Sequence, residues 1–163
     1  MRENIHHTYM RMAMLWGNSR SYATRKKVGV LIVKNNQIIS DGYNGMPPGF
    51  PHDEMEHIEN GELVTSQIAL HAEMNAITKL ARSSLSGEGA TMYCVLSPCA
   101  ICAKLIIATK IKEVFYLEKY RDTLGIETLE RDALKRSKLF VPFHFLKISL
   151  FSQVRVALSM LFL

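Results

Sequence analysis

The sequence predicts an α/β fold: a central mixed sheet with helices on both faces. Three observations carry this. Short β-branched runs alternate with segments of helical apolar spacing. "KVGVLIV" (27–33) and "IISDGY" (38–43) flank the turn residues "NNQ" and read as a hairpin. Residues 91–117 read as strand, helix, strand, a unit whose strands run parallel through a right-handed crossover. A hairpin and a crossover unit in one sheet make it mixed, and helices must then cover its apolar faces.

Each element follows from its residues. "ENIHHTYMRMAMLWGNS" places Ile5, Tyr9, Met12, Met14 and Leu15 at helical spacing, and a helix should end near Gly17. After the hairpin, "GYNGMPPGF" (42–50) is dense in Gly and Pro and reads as a shaped loop. Gly42 and Gly45 within it should allow close backbone approach or a positive φ. "PHDEMEHIENGE" (51–62) is acidic and irregular. "TSQIALHAEMNAITKLARSS" (65–84) predicts a helix that begins late, closed by "SGEG". "TMYCVL" (91–96) is a strand, "CAKLIIATK" (102–110) a helix, "EVFYL" (113–117) a strand and "IETLERDALKR" (126–136) a polar-faced helix.

The 163 residues suit one domain with one sizeable core, and there is no internal repeat or low-complexity linker. Residues 1–138 read as that domain, and 139–163 as an atypical apolar C-terminal tail. In the tail, Pro142 breaks the start while Lys147, Gln153 and Arg155 interrupt the run. That favours a terminal strand or helix packed on the domain or on a partner subunit over a membrane span. The net charge of +5 suits an anionic small molecule, but the charges are scattered, so nucleic-acid binding is not expected. Three Cys without a secretory leader argue against a disulfide framework and for a reducing cytoplasm.

Chemistry concentrates in two stretches, "LHAEMNAI" (70–77) and "SPCAICAKLII" (97–107). Cys99 and Cys102 are three positions apart, on one face of a helical turn. Ser97 suits an N-cap and Pro98 the first helical position, which would put both thiols at a helix N-terminus and favour thiolate. With His71 they form a borderline-soft donor set that suits zinc. Three protein ligands leave a fourth position for water, which a catalytic zinc acidifies into a nucleophile. Glu73 is the candidate proton carrier. Residues two apart on a helix face away from each other, so His71 and Glu73 converge only at the first turn. His-x-Glu with a distant Pro-Cys-x-x-Cys is the signature of zinc nucleobase deaminases. Taken singly, His71 would be a core histidine, Glu73 a solvated helix residue and the two Cys apolar fillers; the joint pattern overrides each. Cys94 keeps the plain reading of a buried strand residue. His6, His7, His52 and His57 meet no tight ligand spacing and read as solvent-exposed.

"HAEMNAI", "SPCAICAKLII", "IKEVFY" and above all "GYNGMPPG" resemble the deoxycytidylate (dCMP) deaminases of the cytidine deaminase superfamily. The likeness runs from about residue 8 to 127. "GYNGMPPG" separates this family from tRNA adenosine deaminases and from deaminases of free cytidine. The resemblance implies a three-layer cytidine deaminase-like fold and hydrolysis of dCMP to dUMP and ammonia, feeding thymidylate synthesis. It implies that Asn44 contacts the deoxyribose and that Ala72 and Cys99 offer backbone groups to the base. Tyr120 would gate the pocket and Arg121 hold the 5′-phosphate. It further implies a hexamer activated by dCTP and inhibited by dTTP, with Mg²⁺ on the triphosphate, at a site including Lys26 of "RKK", Tyr43 and Gly45. Two rival readings are a nucleic-acid deaminase, opposed by the acidic stretch at 52–62, and a non-catalytic zinc or nucleotide-sensing module, opposed by Glu73.

Overall fold

The computed structural model describes residues 4–136 and 139–142. Helix α1 (Ile5–Arg20) opens on Asn4, whose side chain accepts the His6 N–H. It runs past Gly17 rather than stopping there. Gly17 and Gly29 meet where α1 crosses the sheet, so the glycine is a packing contact and not a terminator. The helix ends on Ser21, whose N–H donates to the Gly17 carbonyl.

Strands β1 (Gly29–Lys34) and β2 (Gln37–Tyr43) form the expected hairpin. Its turn holds Asn35 and Asn36 at φ 51° and 60°, a conformation asparagine tolerates well. The acidic stretch is more ordered than expected. A 3₁₀ turn (His52–Met55) leads into a small hairpin of β3 (Glu56–Glu59) and β4 (Glu62–Thr65). Asn60 and Gly61 turn it at φ 52° and 81°. This excursion packs a second, small core of Met55, Met46 and Ala23.

Next come α2 (Ala72–Ala81), β5 (Thr91–Leu96), α3 (Ala100–Ala108), β6 (Glu113–Glu118) and α4 (Leu124–Arg136). A short strand, β7 (Leu139–Pro142), follows. The main sheet has the order β2-β1-β5-β6-β7. β1 is antiparallel to β2 and β5, whereas β5, β6 and β7 run parallel, so the sheet is mixed. The tail thus enters the sheet edge as a strand at 139–142; residues 143–163 lie outside the described residues.

Helices cover both faces. Gly29 abuts α1, while Gly42 abuts Ala72 and Ala76 of α2. Val30, next to Gly29, pairs with Gly42, and neighbouring strand residues point to opposite faces. Hence α1 and α2 lie on opposite sides. The core runs through the sheet from Met10 and Tyr93 on the α1 side to Ala76 and Ile106. Each fully buried large side chain, such as Ile32 or Met92, contributes about 1.5–3 kcal/mol of transfer free energy.

Candidate active site

Two helix starts build the site. α2 begins at residue 72, because Leu70 is still committed to strand-like pairing. Its N–H and carbonyl bond reciprocally to Gly45, at 2.8 and 3.1 Å. His71 is therefore the N-cap and Glu73 lies in the first turn, the placement the two side chains require. α3 begins two residues later than the Ser-Pro pair suggests: Cys99 is the N-cap and Ala100 the first helical residue. Ser97 cannot cap because it is tied to the end of β6. Its N–H donates to the Glu118 carbonyl at 2.8 Å, and its hydroxyl oxygen accepts the Tyr120 N–H at 2.8 Å.

His71 Nδ1 lies 3.4 Å from Cys99 Sγ and 3.5 Å from Cys102 Sγ. Zn–S and Zn–N bonds of usual length at a tetrahedral angle put sulfur and nitrogen about 3.5 Å apart. The donor atoms are therefore already spaced as zinc ligands. Among the described residues, no other three His, Cys, Asp or Glu side chains come together in this way.

The electrostatics fit a cation. The Cys99 thiol is lowered to about 3, chiefly by the hydrogen bond from Cys102 and then by that with His71. Cys102 is pushed up, because Cys99 takes its hydrogen bond and burial disfavours a second thiolate. His71 is raised, first by its bond to Cys99. A thiol that ionises easily beside an imidazole marks a place where a metal can replace protons.

Glu73 is only 5% exposed. Burial pushes its carboxyl up to about 7, against the helix-start N–H groups and His71, which favour the anion. A carboxyl poised near neutrality beside a metal-binding group can both take and give a proton. Cys94 is buried mid-strand below it and, as expected, stands outside the ligand set.

The "GYNG" segment forms a second wall. Gly42 lets β2 reach α2: a methyl group at 42 would lie 2.7 Å from the Ala76 nitrogen and closer still to the Ala72 carbonyl oxygen. Gly45 needs neither close approach nor positive φ, contrary to expectation; it serves through its backbone bridge to Leu70. The Asn44 side chain is largely occupied. Its Oδ1 accepts from Val28 N–H and from the Ser21 hydroxyl, both at 2.8 Å, and its Nδ2 donates to the Lys26 carbonyl at 2.8 Å. Among the described residues, its second amide N–H meets no acceptor. Ala72 is buried in the first turn of α2, where backbone N–H groups have no helical partner.

Tyr120 and exposed Arg121 follow β6 and are joined to the Cys99 loop through Ser97, with the guanidinium 5.8 Å from the Tyr120 ring centre. Lys26 pairs with Glu118 at 2.7 Å, on the approach to the same loop. The Tyr43 ring instead sits on the edge strand with the cations of Arg20 and Lys79 at 5.8 and 5.7 Å from its centre. His52 stacks on Tyr22, with centroids 4.0 Å apart. His6 is not solvent-exposed as its sequence context suggests; it bonds to the Tyr93 hydroxyl at 2.7 Å across the sheet from the metal-binding group.

Residues 3–118 match the family model for the cytidine and deoxycytidylate deaminase zinc-binding region. The chain belongs to this deaminase family. Among curated relatives, the human deoxycytidylate deaminase is 39% identical over 120 residues, covering 71% of this chain and 66% of its own length. The phage T4 deoxycytidylate deaminase is 36% identical over 145 residues, covering 66% of this chain and 75% of its own. The crystal structure of the dCMP deaminase from cyanophage S-TIM5, in complex with dCMP and dUMP, superposes with a TM-score of 0.77 at 37% identity. That match covers 88% of this chain and 99% of that one. Family membership bears out the expected zinc-binding deaminase region, and the cyanophage match bears out the mixed-sheet fold.

Sequence reading missed two members of the site. Ser97 looks like a cap, but it is the bolt between the Cys loop and β6. Gly125, a lone glycine at a helix start, presses on the backbone of Pro98 and Cys99; nothing local marks it.

Proposed function

We propose that the chain catalyses hydrolytic deamination of dCMP to dUMP and ammonia. The observation that carries this is the buried Glu73 carboxyl, poised near neutrality beside three donors spaced for zinc. Zinc held by His71, Cys99 and Cys102 supplies Lewis-acid activation of water as the nucleophile near neutral pH.

The chain's own residues do the rest. Glu73 accepts a proton from the attacking water and delivers it to N3 of the base, then assists departure of the 4-amino group as ammonia. The C4–N bond breaks and a C4–O bond takes its place, so the balance is that of hydrolysis. Free N–H groups at the α2 and α3 starts, those of Ala72 and Cys99, orient the pyrimidine carbonyl and the developing charge. The remaining Asn44 amide N–H meets the sugar. Tyr120 closes over the base and Arg121 binds the 5′-phosphate with its planar fork. Support for dCMP over a nucleic acid comes from the relatives and from the solved dCMP complex of the similar cyanophage enzyme.

The reading extends to regulation. dCTP activates and dTTP inhibits, each carrying Mg²⁺, at a surface including Lys26, Tyr43 and Gly45 in a hexamer. The family likeness of "GYNGMPPGF" and of the basic run at 25–27 supports it. A cytoplasmic nucleotide-supply role goes with it; among the described residues no helix is long and apolar enough to cross a membrane.

The test is a substrate panel: dCMP, CMP, deoxycytidine, cytidine and a tRNA anticodon stem, each with and without dCTP and dTTP. Turnover of dCMP is expected, abolished in Glu73→Ala with zinc retained. Arg121→Glu should weaken dCMP far more than deoxycytidine. Turnover of RNA alone would overturn the proposal.

A further inference from the structure

We propose that Gly125, together with Ser97, is a positioning residue for the metal ligand Cys99. This rests on reading His71, Cys99 and Cys102 as a metal site. The segment 97–99 has no regular structure of its own, yet it must deliver Cys99 Sγ to within 3.4 Å of His71 Nδ1. It is held from two sides. On one side Ser97, 2% exposed, is bolted to the chain after β6 by the Glu118 carbonyl and the Tyr120 N–H, both at 2.8 Å.

On the other side lies the first turn of α4. A methyl group at 125 would lie 2.6 Å from the Cys99 carbonyl carbon, 2.9 Å from its oxygen, and closer still to the Pro98 carbonyl oxygen. All three are backbone atoms, which cannot swing aside as a side-chain tip can. α4 is not free to retreat either. Ile126 and Leu129 are buried in the main core. Any bulk at 125 is therefore relieved by moving Pro98 and Cys99. Cys102, fully buried one turn further into α3, would stay behind. The ligand triangle would open at one corner.

Helix propensity points the opposite way. Were Gly125 a plain helix residue, alanine would stabilise α4 rather than disturb it. The substitution thus separates the two roles.

The experiment uses the zinc-loaded full chain. Zinc affinity is read by competition with a chromophoric chelator, and ligand geometry by thiolate-to-metal absorption of the cobalt(II)-substituted protein. Gly125→Ala is expected to weaken zinc affinity about 10–100-fold and to alter the cobalt spectrum, as loss of a ligand-orienting contact does. Ser97→Ala removes the hydroxyl half of the opposite anchor, the bond from the Tyr120 N–H, without adding bulk, so it keeps the test open should Gly125→Ala misfold. It is expected to weaken affinity in the same direction. Wild-type affinity and spectrum in either variant would overturn the proposal. His71→Ala tests the underlying metal reading separately: it should abolish zinc binding, and full affinity there would remove the metal site itself rather than its buttress.

Discussion

Gly42→Ala concentrates the fold's influence on the chemistry in one methyl group. Gly42 sits in β2 directly beneath α2. Its new Cβ would stand 2.7 Å from the Ala76 nitrogen, 3.0 Å from the Ala76 Cβ, and closer still to the Ala72 carbonyl oxygen. Ordinary carbon contacts lie at about 3.5–4.0 Å, so α2 must withdraw by more than about 1 Å, the Ala72 carbonyl setting the limit. Ala76 is fully buried against the sheet, and the withdrawal costs about 1–3 kcal/mol of stability, as overpacking does. Ala72 lies between His71 and Glu73, so both move with the helix. A misplacement of about 1 Å near reacting groups costs about 100-fold in rate. The assay pairs urea unfolding with kcat/KM for dCMP at measured zinc content. Gly45→Ala is the matched control: its methyl meets only the Tyr43 ring edge, at 3.3 Å, and φ is not left-handed there. It should change stability by less than about 0.5 kcal/mol. A Gly42→Ala protein that keeps kcat/KM within about threefold of the parent at equal stability would show that α2 does not withdraw.

Two further outcomes follow from the same geometry. Asn44→Ala removes three hydrogen bonds joining Ser21, Lys26 and Val28, and should cost about 2–3 kcal/mol in denaturant unfolding besides any effect on KM; a loss below about 1 kcal/mol would show that the clamp is ornamental. For Glu73, the folded carboxyl is raised from 4.5 to about 7 by burial, so the folded state favours the protonated form. That contribution is complete below pH 4.5 and is lost as pH climbs through about 7. Metal-free wild type should therefore weaken against metal-free Glu73→Gln across that window, by at most about 3 kcal/mol. A stability difference that stays flat with pH would contradict the buried-carboxyl assignment.

Much was legible without coordinates. Hairpin residues at 35–37, the strand-helix-strand run and the pairing of His-x-Glu with Pro-Cys-x-x-Cys are local patterns. Backbone preference and ligand spacing express themselves over three or four residues, so such patterns survive in the bare sequence. The β3–β4 hairpin had its Asn60-Gly61 signal, but the surrounding acidic residues masked the weak alternation of a strand pair that is mostly exposed.

Tertiary structure decided the rest. α1 runs through Gly17 because the sheet needs the space there, and α3 starts at Ala100 because Ser97 is claimed by β6. The Asn44 side chain also ties Ser21, Lys26 and Val28 together, a part its residue type does not announce. Donor identity could be read from residue type, since thiolate, imidazole and carboxyl chemistry travels with the side chain. The 3.4 and 3.5 Å spacings, the burial that lifts Glu73 and the bare backbone faces at Gly42 and Gly125 could not. Each depends on clearance between segments far apart in the chain, and no short stretch of residues encodes the distance to a neighbour it meets only after folding.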